Sequence, residues 1–231
     1  MPVFASPYLF AIASDAVSVG FKNDAGTTWS VAHTISGSNT ILWAGVWADS
    51  SNVVTADYNG TGMTLDVQES SVAIRTRLLR LVAPTTSTNN INYTRTISSG
   101  TVGNQNASYS GAKQTGVPDA TATNTTPTAT PIATSITTVA DNCWVVLQSS
   151  TWQVTTQAAG SNTHLRQAGS ASVEPNSIGL YDTNAAQTPA GSKTLNITYT
   201  GATPGSVSIS MASFAPAALP LVGPFPTYLQ V

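Results

Sequence analysis

The stretch TWSVAHTI, residues 28–35, decides the fold class of this chain. Trp29, Val31, His33 and Ile35 alternate with small or polar residues, so one side of the segment is apolar and the other is not. A period of two residues is typical of a half-buried β-strand, because successive side chains point to opposite faces of a sheet. The stretch therefore predicts a strand with one buried face.

The same alternation recurs along most of the chain. It is clear in GMTLDVQE (62–69), KTLNITYT (193–200) and GSVSISMAS (205–213), and turn signals rich in Gly, Asn, Asp and Pro separate such stretches. No window has a convincing helical period. The pattern predicts an all-β fold, an antiparallel β-sandwich, with further strands near residues 16–22, 40–48, 53–58, 72–82, 90–97, 132–139, 142–148 and 177–182.

The composition excludes several classes of protein. Charged residues are 8% of the 231 residues and the formal net charge is −2, so the chain lacks the basic surface that nucleic-acid binding requires. No run approaches the ~18 apolar residues of a membrane span. The single cysteine, Cys143, excludes an internal disulfide and a Cys-based zinc site, and it suggests synthesis in a reducing compartment.

The chain divides into a body and two arms. We expect an N-terminal arm over residues 1–14, one sandwich domain over 15–214 and a Pro-rich C-terminal arm over 215–231. Residues 98–131 are rich in Thr, Gly, Asn and Pro, and they predict a long loop with at most a short strand near 107–109. A domain boundary in this stretch is the alternative. No internal repeat is evident in the sequence.

Both arms are apolar and uncharged, which is unusual for a segment exposed to solvent. The last eighteen residues, FAPAALPLVGPFPTYLQV, contain four prolines, so they cannot form a helix or a central strand. We expect the arms to dock on another surface through Pro216, Leu219, Pro220, Leu221, Val222, Phe225, Pro226 and Tyr228 at the C-terminus and through Val3, Phe4, Tyr8, Leu9 and Phe10 at the N-terminus.

Residues with catalytic or metal-binding chemistry are sparse. His33 and His164 have no Cys or carboxylate at ligand spacing, and His33 is expected to be a core or interface histidine with a hydrogen-bond partner. The segment DYNGTG (57–62) resembles the start of a calcium loop, but Gln68 replaces the required glutamate, and Asn59-Gly60 predicts a hairpin turn instead. We expect no catalytic residues, no metal and no cofactor, although a spatial pair of carboxylates stays possible.

Two tryptophans on one strand have three interpretations. Trp43 and Trp47 share a face about 13 Å apart, at ~3.3 Å per residue. They lie in the core if that face points inward. If it points outward, they fill a subunit interface or form a platform on which sugar rings stack.

Three arginines are clustered in the predicted strand 72–82. Arg75 and Arg77 alternate onto one face, and Leu78-Leu79 suggests a bulge before Arg80. This face is either solvated or a contact with an acidic partner.

Several stretches together resemble a family of jelly-roll sandwiches found in bacteriophage virion proteins. They are WSVAHTISGSNTILWAGV, VTADYNGTGMTL, RLLRLVAP, ASYSGAKQTGVPDA, TTVADNCWVVL and GSVSISMASFAP, which lie within residues 28–216. The resemblance implies a jelly-roll fold and a structural role in the virion, with no catalytic residues to transfer. Trp43, Trp47 and Trp144 depart from the family pattern, in which aliphatic residues are expected, and both arms are additions.

The sequence and the resemblance together give a functional hypothesis. The chain is expected to be a non-enzymatic capsid decoration or cement protein that docks its arms on the major capsid protein or another virion protein. By analogy it would be a homotrimer, assembled in the host cytoplasm and exposed on the particle surface. The alternative is a tail- or head-fibre module that binds host polysaccharide through Trp43, Trp47 or Trp152. A glycan-degrading enzyme is a third hypothesis and requires two carboxylates in one groove.

Overall fold

The computed structural model of the chain describes residues 9–49, 51–71, 73–98, 100–125, 130–152, 155–170, 176–201 and 205–219. These residues form antiparallel β-sheets and no helix, which confirms the predicted all-β sandwich class. The strands are β1 Ala13–Lys22, β2 Thr28–Ile35, β3 Ile41–Asp49, β4 Val54–Tyr58, β5 Thr61–Gly62, β6 Thr64–Glu69, β7 Ile74–Val82, β8 Ser87–Arg95, β9 Val102–Ser110, β10 Ala120–Asn124, β11 Ile132–Thr138, β12 Trp144–Trp152, β13 Thr155–Ala159, β14 His164–Ser170, β15 Asn176–Asp182, β16 Gly191–Gly201 and β17 Ser206–Phe214.

The strands form four sheets. Sheet 1 has the order β1-β9-β3-β7-β6, and sheet 2 has the order β2-β8-β4-β5. Sheet 3 has the order β10-β17-β12-β15-β14, and sheet 4 has the order β11-β16-β13. The first nine strands therefore build sheets 1 and 2, and the last eight build sheets 3 and 4.

The four sheets stack as layers in the order 2, 1, 3, 4. One apolar core fills the space between sheets 1 and 2, with Leu42 and Tyr93 as members, and another fills the space between sheets 3 and 4, with Leu147 and Ile197 as members. A third core joins sheet 1 to sheet 3 and includes Trp43. We call this contact between sheets 1 and 3 the seam. Within residues 15–214, where one sandwich domain was expected, the described sheets form two sandwiches packed face to face.

The two halves have the same connectivity. If β1 is matched to β10, β3 to β12, β6 to β14, β7 to β15 and β9 to β17, sheets 1 and 3 have identical strand orders. Sheet 2 matches sheet 4 in the same way, apart from the two-residue β5. Some contacts across the seam also match, since β6 packs on β10 and β17 while β14 packs on β1 and β9, but the packing of β7 on β12 has no counterpart of similar extent between β15 and β3. The structure thus contains a repeat of topology that the sequence does not reveal.

The stretch 98–131, expected to be a long loop, contains two strands. β9 is nine residues long and pairs with both β1 and β3, and β10 follows at residues 120–124. The polar residues Asn104, Gln105 and Asn106 hid β9 from the sequence analysis, because all three are buried. The bulge expected in β7 lies instead in β6, between Leu65 and Val67.

Small and polar residues line part of the seam. The hydroxyl of Thr76 on β7 is 3.0 Å from that of Ser208 and 2.9 Å from that of Ser210 on β17. Nearby, the amide of Gln148 donates to the side chain of Gln105 at 2.9 Å. The two inner sheets therefore meet partly through hydrogen bonds, while the outer cores are mainly apolar.

None of the described residues belongs to a helix with the length and apolar character needed to cross a membrane.

Candidate functional site

The two ends of the described chain lie side by side. The amide of Phe10 donates to the carbonyl of Ala217 at 2.9 Å, and Leu9 forms an antiparallel bridge with Ala218. The pair of segments 9–12 and 215–218, which we call the terminal ridge, therefore brings the described ends of the two predicted arms together. Most of the predicted arm residues lie outside the described residues. They are Pro220, Leu221, Val222, Pro224, Phe225, Pro226 and Tyr228 at the C-terminus and Val3, Phe4 and Tyr8 at the N-terminus.

The terminal ridge is anchored to the connection between the two halves. The amide of Ala217 donates to the carbonyl of Gly111 at 2.8 Å, and the amide of Lys113 donates to the carbonyl of Ala215 at 2.9 Å. Gly111 has a φ of 70°, and a Cβ at this position would lie 2.2 Å from the carbonyl oxygen of Ala11. Only glycine allows the N-terminal segment to cross this connection so closely.

The predicted arm residues that the structure describes differ in exposure. Leu9 is 38% exposed, Phe10 and Leu219 are half-buried, and Pro216 is buried. The ridge thus presents Leu9 outward while its own backbone is hydrogen-bonded to the body of the protein.

Two grooves flank the terminal ridge. The Trp144 groove has a volume of about 530 Å³ and is lined by residues 9–12, 142, 144, 185, 186 and 216. The Lys113 groove has a volume of about 570 Å³ and is lined by residues 9, 39, 113–115, 140, 141 and 215–218. Leu9 and Pro216 belong to both linings, so the ridge separates the two grooves.

The two grooves differ in charge. The lining of the Trp144 groove contains no charged residue, whereas the Lys113 groove contains Lys113 and Asp141. Lys113 also lies 3.5 Å from Asp119. Near this groove, burial together with the charge of Asp119 raises the pKa of Cys143 to about 11, so the thiol stays protonated and is a poor nucleophile.

Trp144 itself is held by aromatic and cationic neighbours. Its ring packs edge-on against Tyr109, with ring centroids 5.8 Å apart, and the guanidinium of Arg166 lies 5.7 Å from its centroid. Arg166 in turn forms an ion pair with Asp182. These contacts fix the wall of the Trp144 groove.

The structure resolves the three interpretations of Trp43 and Trp47. Both are buried, Trp43 in the seam against Phe214 and Trp47 beside Ile74 and Ile178. They are core residues, so the outward platform and the subunit interface are wrong for this pair. Trp152, at the end of β12, is 44% exposed.

Arg77 is not a docking residue. It is fully buried between sheets 1 and 2, where its Nε donates to Gln68 at 2.6 Å and its Nη2 donates to the carbonyl of Asn52. Burial and the nearby charge of Arg75 lower the pKa of Arg77 to about 10, against the opposing effect of Asp49. Arg75 is half-buried, so the expectation of a solvated arginine face is corrected.

The sequence analysis missed Arg95, which is buried and binds four backbone carbonyls. Its guanidinium donates to Gly26, Gly100, Asp24 and Ser98 and so holds the loop after β1 against the loop after β8. The sequence carried no signal for this role, nor for the groove residues Ala185 and Ala186, which are unremarkable in a loop rich in alanine.

His33 lies in a polar network, as expected of a core histidine. Its Nδ1 is 2.9 Å from the hydroxyl of Ser18, its Nε2 is 3.1 Å from the hydroxyl of Ser108, and Ser108 donates to Asp15 at 2.9 Å. Burial lowers the pKa of His33 to about 4, although the charge of Asp15 opposes this. His33 is therefore neutral at pH 7.

The hairpin predicted in place of a calcium loop is confirmed. Asn59 and Gly60 have φ values of 51° and 78° and form the turn between β4 and β5, and Asp57 accepts a hydrogen bond from the amide of Gly60. Across the described ranges, no cluster of three His, Cys, Asp or Glu side chains is placed to hold a metal ion.

Comparison of this chain with protein-family models, with curated proteins and with solved structures gave no match.

Proposed function

We propose that this chain is a non-enzymatic structural protein of a bacteriophage virion, a capsid decoration protein that docks its arms on major capsid subunits. The observation that carries the proposal is the pairing of Leu9 with Ala218. It delivers two uncharged, apolar arms to one site on a rigid body, which suits a protein that fastens neighbouring subunits. As an oligomeric state we propose a homotrimer on the surface of the particle, by analogy alone.

We also infer that each half of the chain is a jelly roll. In the first half, β1-β9-β3-β7 forms one sheet and β2-β8-β4-β5 faces it, with β6 as an addition to the first sheet. Two four-stranded sheets whose strands alternate along the chain, with the last strand returning beside the first, make up the eight-stranded jelly roll. The second half has the same order except that it lacks a counterpart of β5, which supports a tandem pair and agrees with the resemblance to virion proteins.

The composition of the arms supports docking over exposure to water. No Lys or Arg precedes Lys22, and residues 214–231 carry no charge. The prolines limit the conformations of the free arm, so less entropy is lost when it binds an apolar groove.

The test uses phage particles whose genome encodes this chain. Quantitative mass spectrometry of density-purified, washed particles should find the chain at a fixed molar ratio to the major capsid protein. Particles lacking the chain should bind it when it is added back and should then melt at a higher temperature.

The matched variant lacks residues 1–8 and 220–231 and retains every hydrogen bond of the terminal ridge. It should fold normally and fail to bind the particles. Absence of the chain from washed particles, or equal binding by the shortened variant, would contradict the proposal.

A second candidate function is binding of a host glycan, and it depends on a cavity beside Trp152. The cavity measures about 190 Å³ and is lined by residues 47, 49, 73, 74, 100, 101 and 152. The indole N–H of Trp47 is buried and has no hydrogen-bond partner among the described residues. An exposed indole for stacking beside the carboxylate of Asp49 suits a single sugar ring.

Titration with host polysaccharide fragments tests this second candidate. Binding should be lost in Trp152→Ala and unchanged in Val139→Ala, which alters another exposed side chain outside the cavity. If no fragment binds the full chain at millimolar concentration, this candidate is wrong.

A further inference from the structure

The Trp144 groove lies beside the terminal ridge, where the described ends of both arms meet. Residues 9–12 line the groove, and residues 215–218 run antiparallel beside them. The N-terminal arm joins the ridge at Leu9 and the C-terminal arm leaves it after Ala218, so both connections are at the same end. To lie in this groove, either arm of the same molecule would have to reverse its direction at once.

The C-terminal arm and the Trp144 groove match in chemistry. Residues 220–231 carry no charged side chain and include three prolines, while the described residues that line the groove are uncharged and include Trp144, Ile12 and Pro216, all largely buried in its wall. Grooves with an aromatic wall are a common site for extended Pro-rich segments, since such segments lose little entropy on binding. The Lys113 groove is a poorer match because it contains charged side chains.

The length of the arm is sufficient to reach another molecule. Twelve residues in the extended polyproline conformation span about 37 Å at ~3.1 Å per residue. The groove follows a segment of four residues, about 13 Å at ~3.3 Å per residue, so most of the arm can serve as a bridge.

We propose that the C-terminal arm of one copy, residues 220–231, lies in the Trp144 groove of a second copy of this chain. The inference rests on the proposed role of the arms in docking, but it assigns the C-terminal arm to a second copy of this chain and leaves the N-terminal arm to bind the capsid subunit. Exchange of identical arms is a low-cost route to a closed oligomer, because each copy both gives and receives one arm.

Cross-linking between two different single-cysteine variants tests the proposal. In a Cys143→Ala background, one variant carries Ala186→Cys in the groove and the other carries Val222→Cys in the arm, with tags of different length. Mixing, dissociation and reassembly under oxidation should give a disulfide-linked heterodimer. The control replaces Ala186→Cys with Val139→Cys, which is 64% exposed and lies outside the groove, and should give no such product.

A charge placed in the groove provides a second measurement. Ala186 is exposed, so Ala186→Arg should leave the melting temperature unchanged while weakening self-association by about tenfold or more, since residues 220–231 have no acidic side chain to neutralise the guanidinium. Ala133→Arg, an exposed substitution on sheet 4, should leave association unchanged. Sedimentation velocity over a range of concentrations measures both.

Three results would overturn the inference. They are a monomeric full-length chain, equal cross-linking at residues 139 and 186, and a disulfide formed only within one chain when both cysteines are present. The proposed virion role is judged separately by the particle experiment. If the shortened variant fails to bind particles while the full chain is monomeric, the arm binds a capsid protein and only the present inference is wrong.

Discussion

The phenolic hydroxyl of Tyr109 donates a 2.8 Å hydrogen bond to the carboxylate of Asp182, and both side chains are fully buried. Tyr109 belongs to β9 of the first half and Asp182 ends β15 of the second, so this bond crosses the seam. Burial and the neighbouring carboxylate raise the pKa of Tyr109 well above its usual value, which keeps the phenol protonated as a donor. The two halves are thus joined by a polar contact inside an aromatic cluster.

Removing this donor should destabilise the protein. Tyr109→Phe leaves a buried carboxylate with one hydrogen bond fewer, so we expect a loss of about 1–3 kcal/mol in the free energy of unfolding. Urea denaturation monitored by fluorescence measures the loss. The matched control is Tyr199→Phe, because Tyr199 is also buried but its hydroxyl meets the neutral hydroxyl of Ser149. A loss at Tyr109 no greater than that at Tyr199 would show that the bond across the seam adds no stability.

The seam should not tolerate an added methyl group at Gly45. A Cβ at this position would lie 2.0 Å from Oε1 of Gln148, which is buried and bonded to Gln105. Gly45→Ala should therefore cost about 1–3 kcal/mol through overpacking. Gly62→Ala is the control, since a Cβ there meets nothing within 4 Å, and it should be neutral. Equal melting temperatures for the two variants would contradict the close approach of β3 and β12.

Lowering the pH should reduce the free energy of unfolding, because His33 is buried in its neutral form. The folded protein keeps His33 neutral down to a pKa of about 4, while the unfolded chain binds the proton near pH 6.5. Between these values only the unfolded state is protonated, so stability falls as the pH falls, by ~3 kcal/mol in all. Urea midpoints measured from pH 7 to pH 4.5 should show this slope.

In His33→Gln the urea midpoint should depend less on pH, whatever the effect of the substitution on stability at pH 7. His164→Gln changes an exposed histidine and should retain the slope. An unchanged slope in His33→Gln would mean that another group causes the acid sensitivity.

Replacement by alanine should have different effects at a buried tryptophan and at an exposed one. Trp43→Ala removes a fully buried side chain from the seam and should cost about 3–5 kcal/mol, or prevent folding. Trp152→Ala removes an exposed side chain and should cost less than ~0.5 kcal/mol. Thermal denaturation followed by circular dichroism compares the two, and similar losses would contradict the burial of Trp43.

Alternation in the sequence predicted the positions of the strands better than it predicted which of their side chains are buried. In the outer strand β11 every second residue is exposed, as a half-buried strand requires. In the inner strand β17 the same alternation is present, but Ser208 and Ser210 are buried because they meet Thr76 across the seam. A polar residue in a strand does not reveal whether water or another sheet lies over it. The sequence therefore predicted most strands of the inner sheets, although not β9, β10 or β14, and it did not reveal the second sandwich.

The arms could be predicted from composition, but their pairing could not. Pro216 and Leu9 stood out as apolar residues in uncharged segments. Both residues belong to the terminal ridge, and their meeting there depends on Gly111, which is far from both in the sequence. The burial of Arg77 was equally hidden, because its acceptors are a side chain on β6 and a loop carbonyl.

The repeated connectivity has a consequence for how the chain is joined. In each half the first and last strands are neighbours, as the pairs Ala13–Ser110 and Ala120–Ser213 show, so each half carries its own start and end close together. Every sheet is built from the strands of one half, and residues 111–119 connect the halves along the chain. A cut in this connection would leave each half with all of its sheet pairings, and the seam and the terminal ridge would hold the two halves together.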